Sequence, residues 1–310
     1  MKQVVLLTVL SVALAIPARA ALLSDLTNFE SYSINVSEAS GVTYNRDTNT
    51  LFAVGDEGEA LYQVSLTGQV IDSMFFDNSR PRPNRTLDDP EGVAYLGNGK
   101  FMIADERRGT GFITSYAAGT TVGVGVMPGF LFAGTADSNS GLEGVAYDPI
   151  TDSAWGVKES NPIGIYQQSN ILNGGTSVTT TPFPANRFTR EGITNLSDIY
   201  MLASSAAFAE DVRKMNLLVL CRDNSTIYEY TRSGVLVDQL DISGFGLHTI
   251  EGMTMDDLGN IYLVAEGAAG AATSHLFKLS AIPEPSTYAL LALGGLGLWA
   301  LRRRQRRQAA

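Results

Sequence analysis

In 310 residues the chain has one cysteine and two histidines. Cys221 has no second cysteine to pair with, so no internal disulfide holds this protein together even in an oxidising compartment. It ends the apolar run Leu217-Leu218-Val219-Leu220-Cys221, where a thiol behaves as a small buried hydrophobe rather than a nucleophile. His248 and His275 stand in no zinc-ligand spacing and beside no nucleophile elbow, which sets aside zinc enzymes and Ser-His-Asp hydrolases. His248, three residues before Glu251, reads as a loop histidine. No compact Asp-x-Asp-x-Asp-Gly loop is present, so a hard cation would have to be held by ligands converging from separate segments.

What the chain has in abundance is repetition. Glu38-Ala39-Ser40-Gly41-Val42, Glu91-Gly92-Val93-Ala94-Tyr95, Glu143-Gly144-Val145-Ala146-Tyr147, Glu191-Gly192-Ile193-Thr194 and Glu251-Gly252-Met253-Thr254 open five similar units. Successive glutamates lie 53, 52, 48 and 60 residues apart. A period near that length, built from short apolar segments separated by turn residues, marks the blades of a propeller. The predicted fold class is therefore all-β: a single β-propeller with five blades favoured. Six stay compatible, because a blade without the glutamate could hide near the fourth repeat.

Each unit carries a second acid, and hairpin geometry relates it to the first. The second strands end in Gly55-Asp56-Glu57, Asp105-Glu106, Lys158-Glu159, Arg222-Asp223 and Ala265-Glu266. An antiparallel hairpin sets the start of its first strand beside the end of its second. If the glutamate strand is innermost, Glu38, Glu91, Glu143, Glu191 and Glu251 crowd one channel mouth with Glu57, Glu106, Glu159, Asp223 and Glu266 around them. Like charges so close raise one another's pKa unless a cation or basic partner neutralises them. Oxygen ligands without His or Cys favour calcium or magnesium over zinc, and of the two calcium is the expected cation. The candidate ligands are Glu38, Glu57, Glu91, Glu106, Glu143, Glu159, Glu191, Glu251 and Glu266. The competing reading pairs these acids with Arg107, Arg190, Lys158 or Arg222 as loop braces.

The remaining segments fill out four-stranded meanders. In the second unit Val122 to Val126 is expected as an outer strand, and in the third Ser177 to Thr181. The fourth unit inserts the Ala-rich, helix-prone Ser204 to Lys214 before Leu217 resumes the strand. The last unit ends at His275 to Leu279 without an outer strand, and Phe29 to Val36 is left over to supply it and close the ring. Asp77 to Pro90 should roof the acidic mouth.

The ends lie outside this pattern, giving a division into 1–20, 21–280 and 281–310. Lys2, the apolar run Val4 to Ile16 and Ala18-Arg19-Ala20 form a signal peptide with a small-x-small cleavage site. At the other end Pro283-Glu284-Pro285, the apolar stretch Tyr288 to Leu301 and five arginines among residues 302 to 307 follow in order. This arrangement resembles the PEP-CTERM sorting signal of Gram-negative bacteria. The resemblance implies an exosortase-type processing enzyme as partner. It also implies passage through the inner membrane, transient anchoring by the tail, then release to the periplasm, cell surface or extracellular matrix; a permanent anchor predicts the same initial topology. The formal net charge is −10. The leader contributes +2 (Lys2, Arg19) and the tail a net +4 (five arginines against Glu284), which leaves −16 on the body and excludes nucleic acid and anionic lipid as its partners.

Glu38-Ala39-Ser40-Gly41-Val42-Thr43-Tyr44, Asp89-Pro90-Glu91-Gly92-Val93-Ala94-Tyr95, Ala104-Asp105-Glu106-Arg107, Gly141-Leu142-Glu143-Gly144 and Lys158-Glu159-Ser160-Asn161-Pro162 resemble the SdiA-regulated (YjiK/CarP-like) propeller family over about residues 29 to 280. The Ala-rich insertion and Cys221-Arg222-Asp223 depart from its pattern. The resemblance implies an envelope-associated propeller linked to calcium response, with a suggested phytase-like activity. The leading expectation is a non-catalytic surface or matrix protein whose acidic mouth holds calcium, with an extracellular polysaccharide or phosphate-bearing ligand as a further partner. The alternatives are a calcium-dependent phosphoesterase, with Arg107, Arg108, Lys158, Arg190 or Arg222 binding phosphate, or a lactonase-like hydrolase.

Overall fold

Runs such as Leu51-Phe52-Ala53-Val54 and Leu217-Leu218-Val219-Leu220-Cys221 are buried at every position. Strands of that kind need apolar neighbours on both faces, and stacked blades supply them. The computed structural model describes residues 23–57, 60–79, 86–173, 179–184, 186–247, 249–267 and 271–282, with Gly294, Gly295, Gly297, Arg302 and Gln305 of the tail. The predicted signal peptide, His248 and Pro283-Glu284-Pro285 lie outside the described residues.

There are five blades. β1 (Leu26–Ile34) belongs to the last of them. Blade one holds β2 (Ala39–Asn45), β3 (Thr50–Gly55), β4 (Ala60–Val64) and β5 (Val70–Asp77). Blade two holds β6 (Pro90–Gly97), β7 (Lys100–Asp105) and β8 (Thr110–Ser115); β9 (Thr121–Gly123) leaves it to pair parallel with β5, and β10 (Gly129–Leu131) returns as its outer strand. Blade three holds β11 (Leu142–Asp148), β12 (Ser153–Lys158) and β13 (Gly164–Ser169), extended by a single pairing of Gln167 with Thr180. Blade four holds β14 (Asp198–Met201), β15 (Leu217–Cys221), β16 (Thr226–Tyr230) and β17 (Leu236–Asp241). Blade five runs β18 (Ile250–Met255), β19 (Ile261–Ala265), β20 (Ser274–Ala281) and then β1, which pairs antiparallel with β20 from Leu26 opposite Ala281 to Ile34 opposite Ser274. The N-terminal strand thus closes the ring, as the leftover segment predicts.

Two local expectations need correction. Val122 to Val126 is not blade two's outer strand: Gly119, at φ 67 with its N–H on Ser73 O, turns the chain onto the open edge of blade one, and Val124–Val126 is a 3-10 turn. The Ala-rich insertion makes three short 3-10 turns (Leu202–Ser204, Ala206–Phe208, Val212–Met215) within the β14–β15 hairpin rather than one helix. Ser205 and Asp211 cap two of them and break the run.

Five apolar clusters form the core, one between each pair of neighbouring blades. Adjacent residues of one strand serve different clusters: Leu51 and Ala53 pack toward blade five, Phe52 and Val54 toward blade two. The rings of Phe52 and Phe101 meet across one such seam at 4.4 Å. Cys221 lies buried between blades three and four, where burial pushes its thiol pKa up, as expected of an inert packing residue.

The innermost strands are β2, β6, β11, β14 and β18, and the repeat glycines sit where they approach most closely. A Cβ on Gly92 would lie 2.7 Å from Glu143 O, on Gly41 2.9 Å from Gly92 Cα, and on Gly252 2.7 Å from Ser40 O. Glycine is therefore required by contact around the axis. In blade four the same position is Asp198, whose side chain fills the space beside Gly144.

Candidate functional site

The glutamate phrase is aimed by a bulge. Pairing skips a residue at Ser40, Glu91 and Glu251 and across Glu143-Gly144, just where each inner strand starts. Such irregularities re-aim side chains at the rim of a sheet. Aligned on the close-packed position, the repeat is Gly41, Gly92, Gly144, Asp198 and Gly252, with spacings of 51, 52, 54 and 54 residues. This period is more even than that of the glutamates, and it rewrites the ring. The bulge position carries Ser40, Glu91, Glu143, Ser197 and Glu251. The residue just past the second strand is Asp56, Glu106, Glu159, Arg222 and Glu266. A third tier is marked by repeated backbone bonds: Asp56 N donates to Glu38 O at 3.2 Å, Glu106 N to Asp89 O at 2.9 Å and Glu159 N to Gly141 O at 3.0 Å.

Four of the predicted positions shift. Glu38 enters from this third tier, held at φ 44, a left-handed conformation that costs a non-glycine residue about 1–2 kcal/mol. Asp56, not Glu57, is the counterpart of Glu106; Glu57 is the exposed next residue. Glu191 is not on an inner strand at all. It ends the 3-10 turn Phe188–Glu191, and its carboxylate accepts from Arg187 and from the Tyr230 hydroxyl. Gly192, at φ 69, caps that turn instead of packing between strands. Asp223 accepts from Thr194 Oγ1 at 2.6 Å and leaves the ring position to Arg222.

Carboxylate oxygens gather in three groups, each within 4.8 Å: Glu38, Asp56 and Glu57; Asp89, Glu91 and Glu106; Glu106, Glu143 and Glu159. Glu106 joins the last two. Two full charges at that separation repel by about 3.5 kcal/mol at an effective dielectric near 20, so protonation shifts. Burial, then the charges of Asp89 and Glu106, push the Glu91 carboxyl well above the usual range. Burial, then Glu91 and Glu159, do the same to Glu143. Burial pushes Glu106 up to about 7 against the pull of the Gly141 N–H, which it accepts at 2.9 Å. Burial and the charge of Glu38 push Asp56 up to about 7.

The braces account for part of the ring. Arg222 donates from Nη1 to Glu251 and from Nη2 to Glu159, each at 2.7 Å. Burial raises the Glu251 pKa, and Arg222 pulls it back. Arg107 pairs with Asp89 at 2.9 Å and Asp88 at 3.6 Å; Lys158 turns away to Asp137 and Ser140 O. Arg190 is exposed and makes no pair with the ring acids. Glu143, only 9% exposed, has no hydrogen-bond donor among the described residues, and Asp56 Oδ1 is buried without a partner. An all-carboxylate donor set, with the Asp56 Oδ1 unsatisfied and no donor on Glu143, suits a hard cation with oxygen ligands. Glu266 is exposed at the rim.

Five blades stacked around an axis, with carboxylates at one mouth, define a β-propeller with an anionic channel entrance. The chain belongs to the SdiA-regulated family, whose model matches residues 28–269, and residues 281–305 match the PEP-CTERM protein-sorting motif. That motif marks an exported protein, sorted through C-terminal anchoring of the exosortase type. Among the described residues no helix is long and apolar enough to cross a membrane. Similar solved structures include a chain of a nidogen/laminin complex (11% identity, 73% of this chain and 72% of that one, TM-score 0.47). They also include virginiamycin B lyase from Staphylococcus aureus (12%, 83% and 76%, 0.43) and a luciferin-regenerating enzyme (9%, 83% and 96%, 0.44). At these values the likeness carries no argument about ligand or reaction.

Proposed function

We propose that this protein is an exported envelope or matrix propeller whose acidic mouth binds a divalent cation, calcium in preference to magnesium, in a non-catalytic role. The observation that supports this reading is Glu143: a carboxylate nine-tenths buried, without a donor, facing Glu91, Glu106 and Glu159. A cation would supply the missing partner, with Glu91, Glu106, Glu143 and Glu159 as ligands and Asp89 beside them. Flexible carboxylates from several blades suit the larger, less demanding coordination of calcium. The binding reading stands ahead of phosphate hydrolysis because the basic side chains at this mouth are already engaged, Arg222 by two glutamates and Arg107 by two aspartates.

The test is a calcium titration of the full chain followed by thermal unfolding. Calcium at a hundredfold excess over Kd should stabilise the fold by about 2.7 kcal/mol. Replacing Glu91 and Glu143 together by glutamine should remove most of that gain. An unchanged melting temperature with calcium and magnesium would show that the acids are protonated braces and no cation site.

A further inference from the structure

The opposite end of the channel is built from different chemistry. Glu91 and Tyr95 are four residues apart on β6, roughly 13 Å at about 3.3 Å per residue, and around Tyr95 lies a cavity of about 110 Å³. One residue from each inner strand makes its wall near the axis apolar: Val42, Val93, Val145, Ile199 and Met253. Tyr44, Tyr95, Tyr147 and Tyr200 line it further out, and their hydroxyls are already committed. Tyr44 donates to Asn49 at 2.9 Å, Tyr147 to Asp152 at 3.2 Å, Tyr200 to Met255 O at 3.1 Å, and Tyr95 to Asp47. What these tyrosines offer the cavity is ring surface.

Arg46, in the β2–β3 turn, also lines the cavity. It is exposed, and no carboxylate among the described residues lies within ion-pair reach of it. It shares the cavity lining with Tyr44, Tyr95 and Tyr200, one tyrosine from each of three blades. Asp47, Asp256 and Asp257 lie nearby and keep their charge, but none of them lines the cavity; they accept from Tyr95, from Asn260 and the Leu258 N–H, and from the Ala206 N–H.

We propose that this cavity binds a small planar organic acid, with its ring or short apolar body among the valines and tyrosines and its carboxylate on the Arg46 guanidinium. The volume approaches that of an apolar cavity of about 150 Å³ that accommodates benzene. A guanidinium presents two parallel donors matched to a carboxylate. Ringed tyrosines alone would suit a quaternary ammonium ion; Arg46, the charged side chain in the cavity lining, favours the anion instead.

Benzoate is the probe, titrated into the full chain by calorimetry, with toluene, inorganic phosphate and choline as comparisons. Benzoate should bind saturably at one site, and Arg46→Gln, a change at an exposed position, should weaken it at least tenfold while leaving weak toluene binding unmoved. Val145→Phe, which fills the axial wall, should abolish both if circular dichroism shows the fold intact; if it does not fold, the Arg46→Gln comparison decides. Glu91→Gln with Glu143→Gln should leave benzoate binding unchanged, which separates this site from the acidic mouth. No saturable benzoate binding, phosphate binding equal to benzoate (a surface anion contact only), or tighter binding of choline would each overturn the proposal.

Discussion

Arg222 Nη1 lies 2.7 Å from Glu251 Oε1, and the other arm of the same guanidinium lies 2.7 Å from Glu159, so one side chain of blade four braces the blades on both sides. It occupies the ring position where the other four blades carry an acid. An incoming cation and Arg222 therefore compete for Glu159.

Arg222→Gln should separate the two roles. Without metal it leaves two acids less well paired and should destabilise the protein by about 1–2 kcal/mol, the usual effect of a charged pair discounted for partial exposure. With calcium it should bind more tightly than the parent, because a competing charge is gone. Melting curves in chelator and in calcium measure both; a variant destabilised equally in the two conditions would leave Arg222 as a brace alone.

The second prediction concerns pH. Asp56 and Glu106 are raised to about 7, and Glu91 and Glu143 well above the usual carboxylate range, against unfolded values near 4. Between those limits the native state holds more protons than the unfolded chain. The stabilisation from these groups is thus complete below about pH 4 and is lost as pH rises through their folded values. In chelator the melting temperature should fall from pH 5 toward 8, and Glu91→Gln with Glu143→Gln should flatten the slope. Calcium affinity should rise over the same interval, since binding expels protons.

The propeller was legible because its repeat is physical: Gly92, Gly144 and Gly252 recur wherever inner strands touch, and the apolar strands follow at fixed offsets. Glu91, Glu143 and Glu251, with Glu106, Glu159 and Glu266, stand at the positions the hairpin argument gives them. Blade four was illegible for the same reason. Its contact position is an aspartate, so Glu191-Gly192 mimicked the phrase, while Leu196-Ser197-Asp198-Ile199, the true counterpart of Leu142-Glu143-Gly144-Val145, carried neither Glu nor Gly. An even glycine period was the available signal. Asp89 was missed because it belongs to the preceding loop and reaches the ring through the bond from Glu106 N.

Asp198 itself should be intolerant of the residue the repeat would place there. Its Oδ2 accepts the Met253 N–H at 2.6 Å and its Oδ1 the Ile199 N–H at 2.7 Å, and burial holds its pKa well above the usual range. Asp198→Gly restores the repeat but strands the Met253 N–H, a loss of about 1–3 kcal/mol. Asp198→Asn keeps an acceptor and should lose less. Gly144→Ala should be worse than either, since its Cβ would lie 2.0 Å from Asp198 Oδ1 and 2.3 Å from its Cα. Urea unfolding of the three variants ranks them; equal losses would mean that the bridge to Met253 contributes nothing.

The closing strand makes the last prediction. β1 is remote in sequence from its partner β20, yet buries Leu26 and Ile34 to 2% and 1% exposure, and Ile34 packs with Tyr262, Val264 and Leu276 at the seam between blades five and one. A ring that lacks this strand leaves blade five with three strands and opens two interfaces at once. Removing residues 21–35 should therefore abolish cooperative unfolding rather than lower its midpoint. Ile34→Ala, a smaller insult at the same seam, should cost about 2–4 kcal/mol, whereas Ser31→Ala on the exposed side of β1 should stay within about 0.5 kcal/mol. If the truncated protein melts cooperatively near the parent temperature, closure by β1 is dispensable, and the stability of the ring resides in the other four seams.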